Sequence, residues 1–270
     1  MPSSVINFNT PGNASASSPG LVSTGAQTFA GVKTFQDGTL GATPLATWDG
    51  TSDKTMTAAE RVLWITGLTD NRTLKLPKSG VKKGDVYQLL WTATTAAKLG
   101  TIKDNAGSNT IDTFGEGAVG RATLIALMDE PDGALNTSWA VQYISEQMVQ
   151  SFTFDTGGGS GASYNTEALV MNRENKTVAF SGAGDWRMTT GSSATTVISK
   201  SGAITCTHLR PSAASYIPQL GYENNATIDV VCFLIIATNG DISCAKVGSA
   251  WASSTANTGF VSVRGSYTIA

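Results

Sequence analysis

Between Arg61 and Ile144 the chain falls into short apolar runs separated by turn-formers about every ten residues, and this rhythm constrains the fold more than any other feature. "RVLWIT" (61–66), "RTLKLP" (72–77), "VYQLLWTA" (86–93), "RATLIALM" (121–128) and "SWAVQYI" (138–144) alternate large apolar and polar side chains. Between them stand "GLTDN", "KSGVKKGD" and "DEPDG". A period of two puts alternate residues on one face of a strand. Helical spacing survives only for the single turn "TAAER" (57–61), and "AKLGTIKD", "NAGSN" and "TIDTF" (97–114) predict a hairpin. Beyond the glycine-rich "DTGGGSGAS" (155–163) the short strands resume as "EALVMN", "KTVAF" and "DWRMTT". "TIDVVCFLIIAT", "NGD" and "ISCAKV" (227–247) then form a strong hairpin signal, because Asn-Gly supplies positive φ cheaply. The last run, "GFVSVRGSYTIA", alternates to its end, which predicts a C-terminus pinned in a sheet. The expected architecture is all-β: an extended N-terminal segment (1–43), an antiparallel β-sandwich-like domain (44–150) and a second such domain (151–270).

Composition fits strands and bounds function. Charged residues make up 14% of the chain, against about 25% in ordinary domains. The 41% of hydrophobic residues, with six Trp, are enough for packed cores. Net charge is −2 with both signs scattered, so the basic footprint of a nucleic-acid-binding surface is missing; Lys78, Lys82 and Lys83 read as a solvated loop. No apolar run approaches the roughly 18 residues of a membrane span. "MPSSVINFNT" lacks the basic and apolar regions of a signal peptide, so cytoplasmic synthesis is expected. Cys206, Cys232 and Cys244 are odd in number and lack metal-type spacing, so reduced thiols are expected, with one disulfide left open.

Residues that could carry chemistry are sparse. His208 is the single histidine, and no G-x-S-x-G elbow accompanies it, so it reads as an ordinary packed or surface residue. Asp129, Glu130 and Asp132 in "MDEPDG" have the look of an exposed turn, and Asp229 and Asp241 flank the last hairpin. Asp104, Asn105 and Asp112 could face a calcium ion but lack the spacing of a known loop. The glycine run has no following Lys or helix to make it a phosphate cradle. No catalytic residue, cofactor or metal ligand is assigned.

Residues 1–20 are rich in Pro, Gly, Asn and Ser and would order only on a partner. They lead into "VSTGAQTFAGVKTFQDG", with matched Thr28-Phe29 and Thr34-Phe35 steps. This stretch resembles the "TG-x-QT-x-x-G-x-KTF" element of fibre and tail proteins of tailed bacteriophages, carried here by Thr24-Gly25, Gln27-Thr28, Gly31 and Lys33-Thr34-Phe35. "LTDNRTLKLP…GDVYQLLW…GSNTID…SWAVQYI" resembles the small β domain that follows it in such proteins, and "IIATNGDISCAKVGSAW…VRGSYTI" is similar to fibre tips.

The resemblance implies a virion structural protein, an intertwined homotrimer held to another virion protein through residues 1–43 and touching a host surface glycan. A head or collar fibre or capsid decoration protein without a receptor is the alternative, and a small glycan depolymerase a third. In a trimer, Phe29 and Phe35 could bury each other's rings, with Gly31 allowing close backbone approach. A merely flexible linker is the other reading of that segment. Tyr216, Tyr222 and Trp251 are the candidates for stacking on sugar rings, and each also reads as a core or intersubunit residue.

Overall fold

The computed structural model describes residues 45–92, 97–153, 166–183, 186–188, 196–200, 203–222, 230–248, 258–260 and 263–270. All belong to one compact unit, Thr43–Ala270, which separates from Met1–Ala42. Phe29, Gly31, Phe35, Trp251, Asp229 and the run 155–163 lie outside the described residues.

The chain begins as a flattened coil. Strands β1 (Leu45–Trp48), β3 (Val62–Ile65) and β5 (Val86–Trp91) lie side by side in one sheet, while β2 (Lys54–Thr55), β4 (Arg72–Lys75) and β6 (Leu99–Lys103) form another. The chain visits the two sheets alternately, so each strand runs parallel to the one laid down before it in its sheet. This corrects the expectation of purely antiparallel domains. A parallel pair needs a crossover, and here a strand of the opposite sheet serves as one in place of a helix.

Strand β7 (Thr110–Gly115) turns back antiparallel on β6, and β8 (Val119–Ala126) pairs antiparallel with β5. The meander β9 (Trp139–Thr153), β10 (Thr166–Glu174) and β11 (Thr177–Ala183) extends the first sheet antiparallel from β8. A second body of strands follows: β12 (Trp186–Met188), β13 (Thr196–Lys200), β14 (Ser215–Tyr222), β15 (Val230–Ile236), β16 (Ile242–Lys246) and β17 (Thr258–Phe260). They form a six-stranded sheet ordered β12-β17-β14-β15-β16-β13. Last comes β18 (Val263–Thr268), which closes the eight-stranded sheet beside β11, so the alternating C-terminus is pinned as its pattern requires. Gly240 supplies the positive φ of the β15–β16 hairpin, at 86°, but Asn239 does not share it: the turn runs over Ala237–Gly240, with the Gly240 N–H donating to Ala237 O, and is not the two-residue Asn-Gly turn. One 3₁₀ turn, Thr207–Leu209, is the only helical element among the described residues.

Period-two burial follows from the sequence. In β5, Tyr87, Leu89 and Trp91 point inward while Val86, Gln88 and Leu90 point out; in β3, Leu63 and Ile65 are inside and Trp64 outside. Two cores result. One fills the coil from Trp48 to Ile144, and the other lies between the second half of the large sheet and the six-stranded sheet, from Met148 to Ile269 with Ala118. Strand β9 serves both, passing without interruption through position 150.

A tight point in the coil gives a direct test of its packing. Gly50 has φ 69°, and a Cβ there would stand 2.0 Å from the Gly67 carbonyl oxygen. Left-handed backbone disfavours any L side chain by roughly 1–2 kcal/mol, and the clash with backbone adds to that. Gly50→Ala should therefore lose about 2–4 kcal/mol in urea unfolding; an unchanged midpoint would mean that the Gly50–Gly67 approach has room to relax.

Candidate functional site

Among the described residues, five buried titratable side chains come together where the two cores meet. β7 brings Asp112, β9 brings Glu146, β10 brings Arg173, the β7–β8 turn brings Glu116, and the 3₁₀ turn brings His208. None of the five side chains is more than 7% exposed. Arg173 sits at the hub of one half. Its Nη2 donates to Asp112 Oδ1 at 2.7 Å, Nη1 to Glu146 Oε2 at 2.8 Å and to Thr113 O at 2.9 Å, and Nε to Asn175 O at 2.8 Å. His208 completes the other half. Its Nε2 stands 3.0 Å from Glu146 Oε2 and its Nδ1 2.7 Å from Glu116 Oε2. Thr207 Oγ1 donates to Glu116 Oε1, and Gly115 N–H to Glu146 Oε1. The result is a continuous chain Asp112–Arg173–Glu146–His208–Glu116.

The turn that delivers Glu116 is unusual backbone. Gly115, Glu116 and Gly117 have φ of 107°, 52° and 96°, three left-handed residues in succession. Glutamate tolerates this poorly, and such strain persists only where surrounding contacts over-determine it. Here those contacts are the bonds from Thr207 Oγ1, the His208 N–H and the His208 ring.

The electrostatics favour the charged forms of His208, Glu116 and Arg173. Burial works against a charged His208, but the hydrogen bonds and charges of Glu116 and Glu146 outweigh it and raise its pKa to about 9. Burial likewise opposes ionised Glu116, yet its bonds to His208 and Thr207 hold its pKa below the usual value. Arg173 is raised by Asp112 and Glu146 against the pull of burial. General acid–base work near neutral pH needs a group that exchanges its proton there. His208 and Glu116, shifted in opposite directions away from neutrality, do not, and both are buried. The cluster acts as an ionic clasp between the two halves.

The other sequence candidates are apart from it. Asp129 binds Lys82 Nζ and the Lys83 N–H, and Asp132 binds Lys78 Nζ and the Ala106 N–H, as an exposed, cross-linked turn. The proposed calcium ligands do not converge: Asp104 accepts from Asn109, Asn105 donates to Leu76 O, and Asp112 belongs to Arg173. Among the described residues no group of three or more His, Cys, Asp or Glu is placed to hold a metal. Cys206, Cys232 and Cys244 are buried free thiols, and burial pushes the Cys206 pKa up. Tyr216 is 63% exposed on β14. Tyr222 ends the same strand, its side chain outside the described ones. A cleft of about 220 Å³ beside Asp112, lined also by Asn136, Gln142, Asn175, Lys176 and the apolar Leu135, Val141 and Ile144, offers a small polar recess.

No protein-family model matches the chain, and the curated proteins hold no match to it. Among the described residues no helix is long and apolar enough to cross a membrane.

Proposed function

We propose that the chain is a homotrimeric, non-enzymatic fibre protein of a tailed-phage virion, attached through residues 1–43 and presenting its β body to the host surface. The observation that carries this reading is the division of the chain after Ala42, just behind the paired Thr-Phe element, from a compact β unit. An extension bearing Phe29 and Phe35 suits self-association and anchoring better than a free linker would. The closed ionic clasp supports a structural body over an enzyme, since its carboxylates are committed to protein partners. Tyr216, Tyr222 and Trp251 are the residues proposed for a sugar contact; Tyr216, exposed among apolar neighbours on β14 and β15, also fits the intersubunit alternative.

Light scattering on the full chain tests the assembly. The expected mass is three times the 28.0 kDa chain. Phe29→Ser/Phe35→Ser should raise the dissociation concentration by at least about a hundredfold, because two buried Phe per chain contribute roughly 3–6 kcal/mol and each 1.4 kcal/mol is tenfold. The same variant should fail to join virions lacking the protein. A single-chain mass for the unaltered protein would overturn the trimer, and unimpaired incorporation of the variant would overturn the anchoring role.

A further inference from the structure

We infer that the outer face of the six-stranded sheet is a self-association surface, covered in the assembled protein by a second copy of this chain. Strand β15, "VVCFLII", is apolar at every position, the pattern of a strand buried on both faces. It is central in its sheet, between β14 and β16. Its inward residues Cys232, Leu234 and Ile236 lie in the second core. Its outward ones reach the surface: Val231 is 52% exposed, and Phe233 and Ile235 are half-buried.

The register extends this face across three strands. Tyr216 lies beside Ile235, Pro218 beside Phe233 and Leu220 beside Val231. On the far side of β15, Ala245 sits opposite Phe233, and the Val247 N–H reaches Val231 O. Leu220 is 61% and Val247 49% exposed. Ser243, opposite Ile235, and the Tyr216 phenol carry the polar groups among the described outward side chains of β14, β15 and β16, and none of these is charged.

Three features select a second copy as the occupant. The outward positions of β14, β15 and β16 carry no charge, so this part of the face offers no electrostatic signature for an acidic or basic partner, but it complements itself. Small Pro218 and Ala245 flank the large Phe233, and Tyr216 and Leu220 stand on either side of Pro218 in β14's outward row, giving projections and hollows that an identical face can fill. The four most exposed side chains together present on the order of 400 Å², within the range of a monomer's largest patch. That is about half of the roughly 800 Å² each partner contributes to a stable interface. It suits the apolar centre of one, with the polar rim coming from the surrounding surface. The inference concerns the C-terminal half and holds whether or not Phe29 and Phe35 also join subunits.

The test is the solution mass of the full chain carrying Leu220→Glu, beside Val149→Glu, which places the same charge on an exposed apolar position (62% exposed) of the other sheet. The expected result is a mass shifted toward a single chain for Leu220→Glu, with far-UV circular dichroism unchanged, and an assembly unaffected by Val149→Glu. Val231→Thr keeps the β-branched shape and guards against misfolding of the charged variant. It should raise the dissociation concentration about tenfold, as expected for burying a hydroxyl in an apolar contact. An assembled protein whose mass resists Leu220→Glu and Val231→Thr would overturn this inference and leave the fibre reading standing; a single-chain mass without any substitution would overturn both.

Discussion

Arg173→Met should lower the unfolding free energy by about 3–5 kcal/mol, the largest effect expected of any single substitution in the ionic clasp. Methionine has nearly the length of the arginine stem and fills most of its space, so lost packing accounts for little. What remains is charge. Asp112 and Glu146 would stay buried without the guanidinium that Asp112 meets at 2.7 Å and Glu146 at 2.8 Å, and the carbonyls of Thr113 and Asn175 would lose their donors. Breaking a buried pair exceeds in cost whatever net stability the pair contributes, because an uncompensated charge is left behind. The loss should shrink in acid, where one orphaned carboxylate takes up a proton, and urea unfolding at pH 7 and pH 4.5 measures both values. Arg173→Met/Glu146→Leu should recover part of it by removing the stranded charge. Equal stability of Arg173→Met and the unaltered protein at both pH values would show that water reaches the cluster and that it does not clasp the two cores.

Much of the β architecture is legible in the sequence because alternation is a local property. The parity of "VLWI" and "VYQLLW" alone puts Leu63, Ile65, Tyr87, Leu89 and Trp91 inside. Parity says nothing of which strand lies next door, however, and it is identical for parallel and antiparallel neighbours. The coil of β1 to β6 is set by the route of the connections, so its parallel ladders were hidden. The clasp was hidden for a related reason: His208 meets Glu146 from 62 residues away and Glu116 from 92, and no local motif spans such distances. A weaker signal was present. Glu146 shares its parity with Ile144 and Met148, and Arg173 with Leu169 and Met171, all of them buried. A charge on the inward face of an apolar strand demands an opposite charge. Two such anomalies of opposite sign on neighbouring strands point to a pair, although not to the histidine that extends it.

Stability should fall by roughly 3 kcal/mol as pH rises from about 6.5 to beyond 9, and His208 should be the cause. The unfolded chain releases this proton near 6.5, whereas the folded protein holds it to about 9. Between those values the folded state carries the extra proton, so its advantage is complete below 6.5 and disappears as pH climbs through 9. Glu116 limits the opposite side. Its folded pKa lies below the unfolded one, so its contribution is present above about 4.5 and is lost as acid protonates it. The expected profile is a maximum near pH 5–6.5 with a slow alkaline decline, read from urea midpoints. Because the chain has one histidine, its imidazole Cε1–H resonance reports the titration without ambiguity. His208→Gln should flatten the alkaline decline, and Glu116→Gln should move the resonance midpoint down toward 6.5 by removing the partner at 2.7 Å. A folded protein whose imidazole titrates near 6.5 would mean that neither glutamate holds the ring, and the clasp would then end at Glu146, still paired with Arg173.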